Sequence, residues 1–184
     1  VVYRAFDRKE QREVALKVMR DNEGDGLSAF RAGFAALRQI RHPNLVALYD
    51  LTEDRGRLLL AMEVVEGVEL LEHVRRDGGF DELRLRSAFS QLAQALRALH
   101  REHKVHRDIK PGNVRVTAAG RVVLLDLDLA VDIDGHLSEG RAESDARPVG
   151  TAVYMAPEQA ASKAPRASCD WYSLGVVLYE ALTG

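Results

Sequence analysis

Residues 106 to 113, His-Arg-Asp-Ile-Lys-Pro-Gly-Asn, gather reactive side chains into one short polar stretch. Asp108 is able to take a proton, Lys110 can hold a phosphate, and Asn113 offers an amide oxygen to a metal ion. A second carboxylate, Asp126, closes the apolar run 122–125. With Asn113 and Asp108 it would supply the hard oxygen ligands that Mg2+ prefers, close to a nucleophilic hydroxyl and a phosphate. Two other readings compete. Such a loop can be a plain polar turn, and two carboxylates can serve a hydrolase.

These groups need rigid neighbours. From Asp81, which can cap a helix, to about His103, Leu85, Phe89, Leu92, Leu96 and Leu99 fall on one face of a long helix that ends at the loop. After the loop, 114–116 and 122–125 predict a hairpin around Ala118-Ala119-Gly120 that delivers Asp126. Upstream, 1–6 and 13–19 predict two strands joined by the polar run 7–12, and 45–51 and 58–65 predict two more around Asp54-Arg55-Gly56. Leu27, Phe30, Phe34, Leu37 and Ile40 mark an amphipathic helix over 27–41, stopped by His42-Pro43-Asn44. The expectation is a small antiparallel sheet with one helix, followed by a mainly helical part with a short helix at 70–76 and an apolar one at 170–182. Lys17 lies in a strand among apolar and small residues, where a lysine has a special use or snorkels to water. The run 130–149 is polar and reads as a loop.

The chain has 184 residues, 46% of them hydrophobic, enough to bury a core and too many for a disordered tail. A net charge of −2 gives no electrostatic case for nucleic acid or for an anionic membrane. Cys169 is the single cysteine, which excludes an internal disulfide framework and suggests a reducing, cytoplasmic setting. No run approaches the roughly twenty apolar residues of a membrane span. The chain opens in a strand-like run and stops directly after a helical pattern, so it reads as a piece of something longer.

Val14-Ala15-Leu16-Lys17, the 106–113 loop, Asp126-Leu127-Asp128 and Gly150-Thr151-Ala152-Val153-Tyr154-Met155-Ala156-Pro157-Glu158 occur in an order that closely resembles the catalytic domain of bacterial, eukaryotic-like serine/threonine protein kinases. The resemblance covers essentially the whole chain. It implies an α+β, two-lobed fold, with residues 1–65 as the small lobe, a hinge at 63–66, and 67–184 as an incomplete helical lobe. The glycines of the Gly-rich loop would lie upstream of residue 1, with Val2 as the valine just beyond them. ATP and Mg2+ are the implied cofactors and a protein Ser or Thr the implied substrate, with further domains possible in the longer protein.

Residue by residue, the resemblance makes Asp108 the base and Lys110 the group that steadies the γ-phosphate. Asn113 and Asp126 would bind Mg2+, and Lys17 would hold the α and β phosphates. Val2, Ala15, Met62 and Val65 would line the nucleotide pocket, with Met62 as gatekeeper and the backbone of Glu63 to Val65 facing adenine. Glu69 would meet ribose or a basic substrate, or be a solvated charge at a helix start. Arg107 would receive a phosphate on the activation loop, where Ser138 and Ser144 are candidates, and Thr151 and Glu158 belong to the substrate loop. His106 and Asp170 would anchor the catalytic loop, although Asp170 could simply cap its helix.

Three positions depart from the family pattern. Gly33 stands where the family has the helix glutamate that pairs with the strand lysine, and no acidic residue occurs from 27 to 41. Asp128 replaces the glycine of Asp-Phe-Gly, and Arg115 replaces the apolar floor under adenine. They motivate a second expectation, a pseudokinase acting as a binding or regulatory module. A small-molecule phosphotransferase is a third, opposed by the 150–158 segment.

Overall fold

The structure, a computed structural model, describes residues 1–19, 26–76, 79–127, 131–132, 152–161 and 163–184. Two strands open the chain, β1 (Val2–Asp7) and β2 (Arg12–Val18), antiparallel with Val2 opposite Lys17. Asp7 stabilises the turn between them, its Oδ1 accepting from the amides of Lys9 and Glu10. Helix α1 (Gly26–Gln39) follows. Then come β3 (Leu48–Asp54) and β4 (Arg57–Met62), joined at Arg55-Gly56, both of which have positive φ. The sheet order is β1-β2-β4-β3. This is the expected four-stranded antiparallel sheet with one helix beside it, although β3 begins three residues later than the apolar run.

The second lobe starts with β5 (Val68–Glu69) and α2 (Leu70–Val74), then α3 (Glu82–Arg101). Asp81 caps α3 as its sequence position predicts, accepting from the Arg84 amide at 3.0 Å. Leu85, Leu92, Leu96 and Leu99 are buried along one face, with Phe89 packed partly against the same core. Each such leucine contributes roughly 1.5–3 kcal/mol by leaving water, which is why this helix can serve as a fixed base for the loop that follows. Next are β6 (Lys104–Val105), a 3-10 turn at Pro111–Asn113, β7 (Val114–Val116), β8 (Val122–Leu124) and β9 (Val131–Asp132). Strands β5, β7 and β8 form one small sheet, while β6 pairs with β9. Short α4 (Pro157–Ala160) and the long apolar α5 (Ala167–Thr183) complete the lobe.

The His-Pro-Asn stop after α1 is a joint between the lobes. Asn44 Nδ2 donates to Gln91 Oε1 at 2.8 Å and to Val122 O at 2.7 Å, and Leu124 N returns a bond to Asn44 O at 2.9 Å. Asn44 is buried, so its amide satisfies backbone groups that would otherwise be stranded away from water. β8 is thereby tied to the loop that ends α1. Among the described residues, no helix is long and apolar enough to cross a membrane.

Candidate active site

The catalytic-loop candidates converge, and the hydrogen bonds explain how. Asp108 is buried. Its Oδ2 accepts from Lys110 Nζ at 2.7 Å and from Asn113 Nδ2 at 2.9 Å, and the same Asn113 amide reaches Asp108 O at 2.8 Å. The 3-10 turn led by Pro111 folds the chain back so that positions 108 and 113 meet. Asn113 O in turn accepts from Leu125 N at 2.8 Å, which fixes the residue before Asp126. The two oxygen-bearing side chains expected to bind a metal therefore rise from backbone segments bonded to each other.

Asp126 has φ 65° and Arg107 φ 71°, the left-handed region that costs a non-glycine residue free energy. Both flank the reactive groups, and both are held in place by neighbours. Asp170, fully buried in the first turn of α5, accepts from His106 N at 2.9 Å and Arg107 N at 2.8 Å. A third bond joins its Oδ2 to His100 Nε2 at 2.8 Å. Arg166 is the cap residue of α5, so the reading of Asp170 as a simple helix cap does not hold. His106 is also fully buried, and its ring lies 2.7 Å from Leu125 O through Nε2 and 3.2 Å from Asp108 N through Nδ1. A carbonyl only accepts and an amide only donates, so Nε2 carries the proton and Nδ1 accepts. His106 links the segment before Asp126 to the peptide of Asp108.

Lys17 projects from β2 and donates to Asp126 Oδ1 at 2.5 Å. Gly33 lies inside α1, and a Cβ built there meets nothing within 4 Å. Ala15 pairs with Met62 across β2 and β4; Met62 is buried and Val65 packs partly against the core. Val2 is exposed opposite Lys17.

Glu63 has a larger role than the sequence disclosed. Its carboxylate takes a two-pronged bond from Arg121, at 2.6 and 3.1 Å, while Arg121 Nε donates to Pro43 O at 2.7 Å. The Glu63 amide bonds Ala47 O at 2.9 Å. The carboxylate holds the Arg121 guanidinium above its ordinary pKa. Arg121 had no signal in the sequence, because a lone arginine after a turn glycine looks like any solvated charge. Glu69 and Arg115 form a cross-strand pair of β5 and β7, each half-buried, with Glu69 at the N-cap of α2 and no side-chain cap bond. Position 115 alternates with buried Val114 and Val116, so its side chain leaves the sheet on the opposite face.

The described end of the 150–158 segment sits on α5. Tyr154 OH donates to Glu180 at 2.7 Å, and burial followed by that bond pushes the phenol up to about 12. Ser173 Oγ lies 2.6 Å from Tyr154 O. Glu158 Oε1 accepts from Ser168 Oγ at 3.2 Å. Arg107 is half-buried, and Tyr154 and Met155 line a small gap together with Arg107, Asp108 and Ile109. Asp128, Ser138, Ser144 and Thr151 lie outside the described residues.

A family model described as protein kinase domain matches residues 1–184. The chain is similar over its whole length to the serine/threonine-protein kinase PrkC of Bacillus subtilis (strain 168), at 33% identity over 186 residues and 28% of that protein. It is 36% identical over 194 residues to the serine/threonine-protein kinase PknA of Mycobacterium tuberculosis (strain H37Rv), covering all of this chain and 43% of that protein. A third relative, PknB of Mycobacterium tuberculosis (strain ATCC 25177 / H37Ra), is 36% identical over 190 residues, covering all of this chain and 30% of that protein. The chain thus spans less than half the length of these relatives.

Proposed function

The chain belongs to the protein kinase domain family, and from that premise we propose that it transfers the γ-phosphoryl group of ATP to a Ser or Thr hydroxyl of a protein. The observation that carries the reading is the buried Asp108 carboxylate gripped by Lys110 and Asn113, with Asn113 tied by backbone to the residue before Asp126. An oxygen of the substrate hydroxyl attacks phosphorus as the bond between the β and γ phosphates breaks. The hydroxyl proton passes to Asp108, and ADP leaves with the bridging oxygen.

Lys110 lies close enough to the base to meet the transferred phosphoryl group, and Lys17 exchanges Asp126 for the α and β phosphates when nucleotide binds. The amide oxygen of Asn113 and the carboxylate of Asp126 are hard oxygen donors that suit Mg2+, which supplies charge neutralisation between the phosphates. Residues 63–66 act as the hinge, with Met62, Ala15, Val65 and Val2 as the apolar walls around adenine. Glu69 meets the ribose or a basic substrate, and Arg115 forms the floor under adenine. Arg107 and Glu158 order the loop that receives the peptide, with Ser138, Ser144 and Thr151 as further parts of it.

A phosphate-incorporation assay on the full-length protein tests the proposal, with Asp108→Asn as control. Loss of at least a hundredfold in kcat is expected, the range general-base removal gives; equal incorporation by the two proteins would sink it. Gly33 favours a second reading, a pseudokinase acting as a binding or regulatory module without turnover. Under that reading no phosphate is transferred, and a saturable rise in Tm with Mg-ATP would count against a nucleotide-free module.

A further inference from the structure

Resting on the kinase reading, we infer that Gln159 is a positioning residue for Asp108, coupling the seat of the peptide-receiving segment to the orientation of the base. Gln159 Nε2 donates to Arg107 O at 2.8 Å. That carbonyl belongs to the peptide group joining Arg107 to Asp108. The N–H of the same peptide donates to His106 Nδ1 at 3.2 Å. One planar unit is therefore held at both ends, and its orientation sets the direction in which Asp108 leaves the backbone. The neighbouring Arg107 N–H is fixed by Asp170 at 2.8 Å. Left to itself, a residue at φ 71° relaxes toward negative φ, so the clamp on both of its polar backbone groups is what keeps the loop in its strained form.

The clamp is also conditional. Gln159 belongs to α4, a single turn whose location depends on flanking residues docked on α5: Tyr154 through Glu180 and Ser173, and Glu158 through Ser168. Gln159 Oε1 is buried without a hydrogen-bond partner among the described residues, so this side chain leaves one polar atom unmatched while the other grips Arg107. If the 154–159 segment lifts from α5, Gln159 withdraws and the Arg107 to Asp108 peptide is free to turn. A well-seated substrate loop and a well-aimed base then occur together.

The test uses the full-length protein carrying Gln159→Met, which keeps the length of the side chain and removes the donor. Peptide phosphorylation and hydrogen exchange over 104–110 are read together. The expected result is a fall in kcat of about tenfold or more, with KM for ATP within about twofold and faster exchange at 104–110, while α3 keeps its protection. Unchanged kcat and exchange would overturn the inference. So would an equal loss of protection throughout the helical lobe with KM for ATP rising in step, because that describes a general structural role. Should the Met variant not fold, Gln159→Glu replaces it, since its ionised carboxylate places acceptor against acceptor at Arg107 O and predicts the same pattern. If the parent protein is no faster than Asp108→Asn, the kinase reading itself fails; the exchange arm still decides whether Gln159 holds the loop.

Discussion

Gly33 poses the sharpest question at the scale of single residues. Lys17 is engaged by Asp126, a partner 109 positions away in sequence, and α1 offers it no carboxylate over its described length. The space at Gly33 is open, because a Cβ there touches nothing within 4 Å. Gly33→Ala should therefore stabilise the fold by about 0.5–1 kcal/mol, the ordinary difference between the two residues inside a helix, measured by urea unfolding. Gly33→Glu asks a functional question. If a carboxylate on this face draws Lys17 away from Asp126 and toward the phosphates, KM for ATP should drop roughly fivefold, as expected for about 1 kcal/mol of charge-assisted pairing. An unchanged KM would mean that Asp126 already aligns Lys17 well enough. The glycine itself was legible in the sequence by counting back from His42, whereas the Lys17 to Asp126 bond was not. Two residues so far apart meet only once the sheet has packed over the hairpin.

Among the elements, the segment linking the lobes shows what periodicity can and cannot convey. The strands, α1, α3 and the hairpin of β7 and β8 followed from alternation, from one apolar helix face, and from turn glycines such as Gly56 and Gly120 with positive φ. β5, β6 and β9 did not, since two-residue strands carry no periodic signal and exist only because a partner lies alongside. The Arg121 clamp belongs to the same class of tertiary fact. By gripping Glu63 with two nitrogens and Pro43 O with a third, Arg121 fastens the start of the proposed hinge to the loop after α1 and to the β7–β8 turn. If adenine is met by the backbone just beyond Glu63, as proposed, Arg121→Ala should raise KM for ATP while leaving kcat nearly intact. A double-mutant cycle with Glu63→Gln, read by thermal unfolding, should give a coupling of about 1 kcal/mol, kept small by the partial exposure of the arginine. Arg121→Lys should rescue little, since an ammonium cannot supply the paired geometry. Additive effects of the two substitutions would show that the clamp is ornamental.

For the molecule as a whole, the lobes are joined by buried polar groups, and that makes its stability depend on pH in a definite window. Burial holds His42 below the ordinary imidazole value, and it does the same to His73, helped by Arg84. His42 Nδ1 also accepts from the Asn44 amide at 3.2 Å, a bond that only the neutral ring can make, and Asn44 is the residue that ties the loop to β8. For a histidine with a depressed folded pKa, the unfolded chain takes up its proton first as the solution is acidified. Stability contributed by the neutral rings is complete above about pH 6.5 and is lost as pH falls below it, until the folded protein is protonated as well. Carboxylates such as Glu13, kept low by Arg4, act in a separate window below their ordinary value of 4.5. Thermal unfolding should show a first decline in Tm between pH 7 and pH 5 and a second only under more acid conditions. Replacing His42 and His73 together by glutamine should flatten the first decline and leave the second in place. A parent Tm that is constant across pH 7 to 5 would contradict the assignment, because half-buried neutral rings, one at the joint between the lobes and one in α2, cannot be protonated without cost.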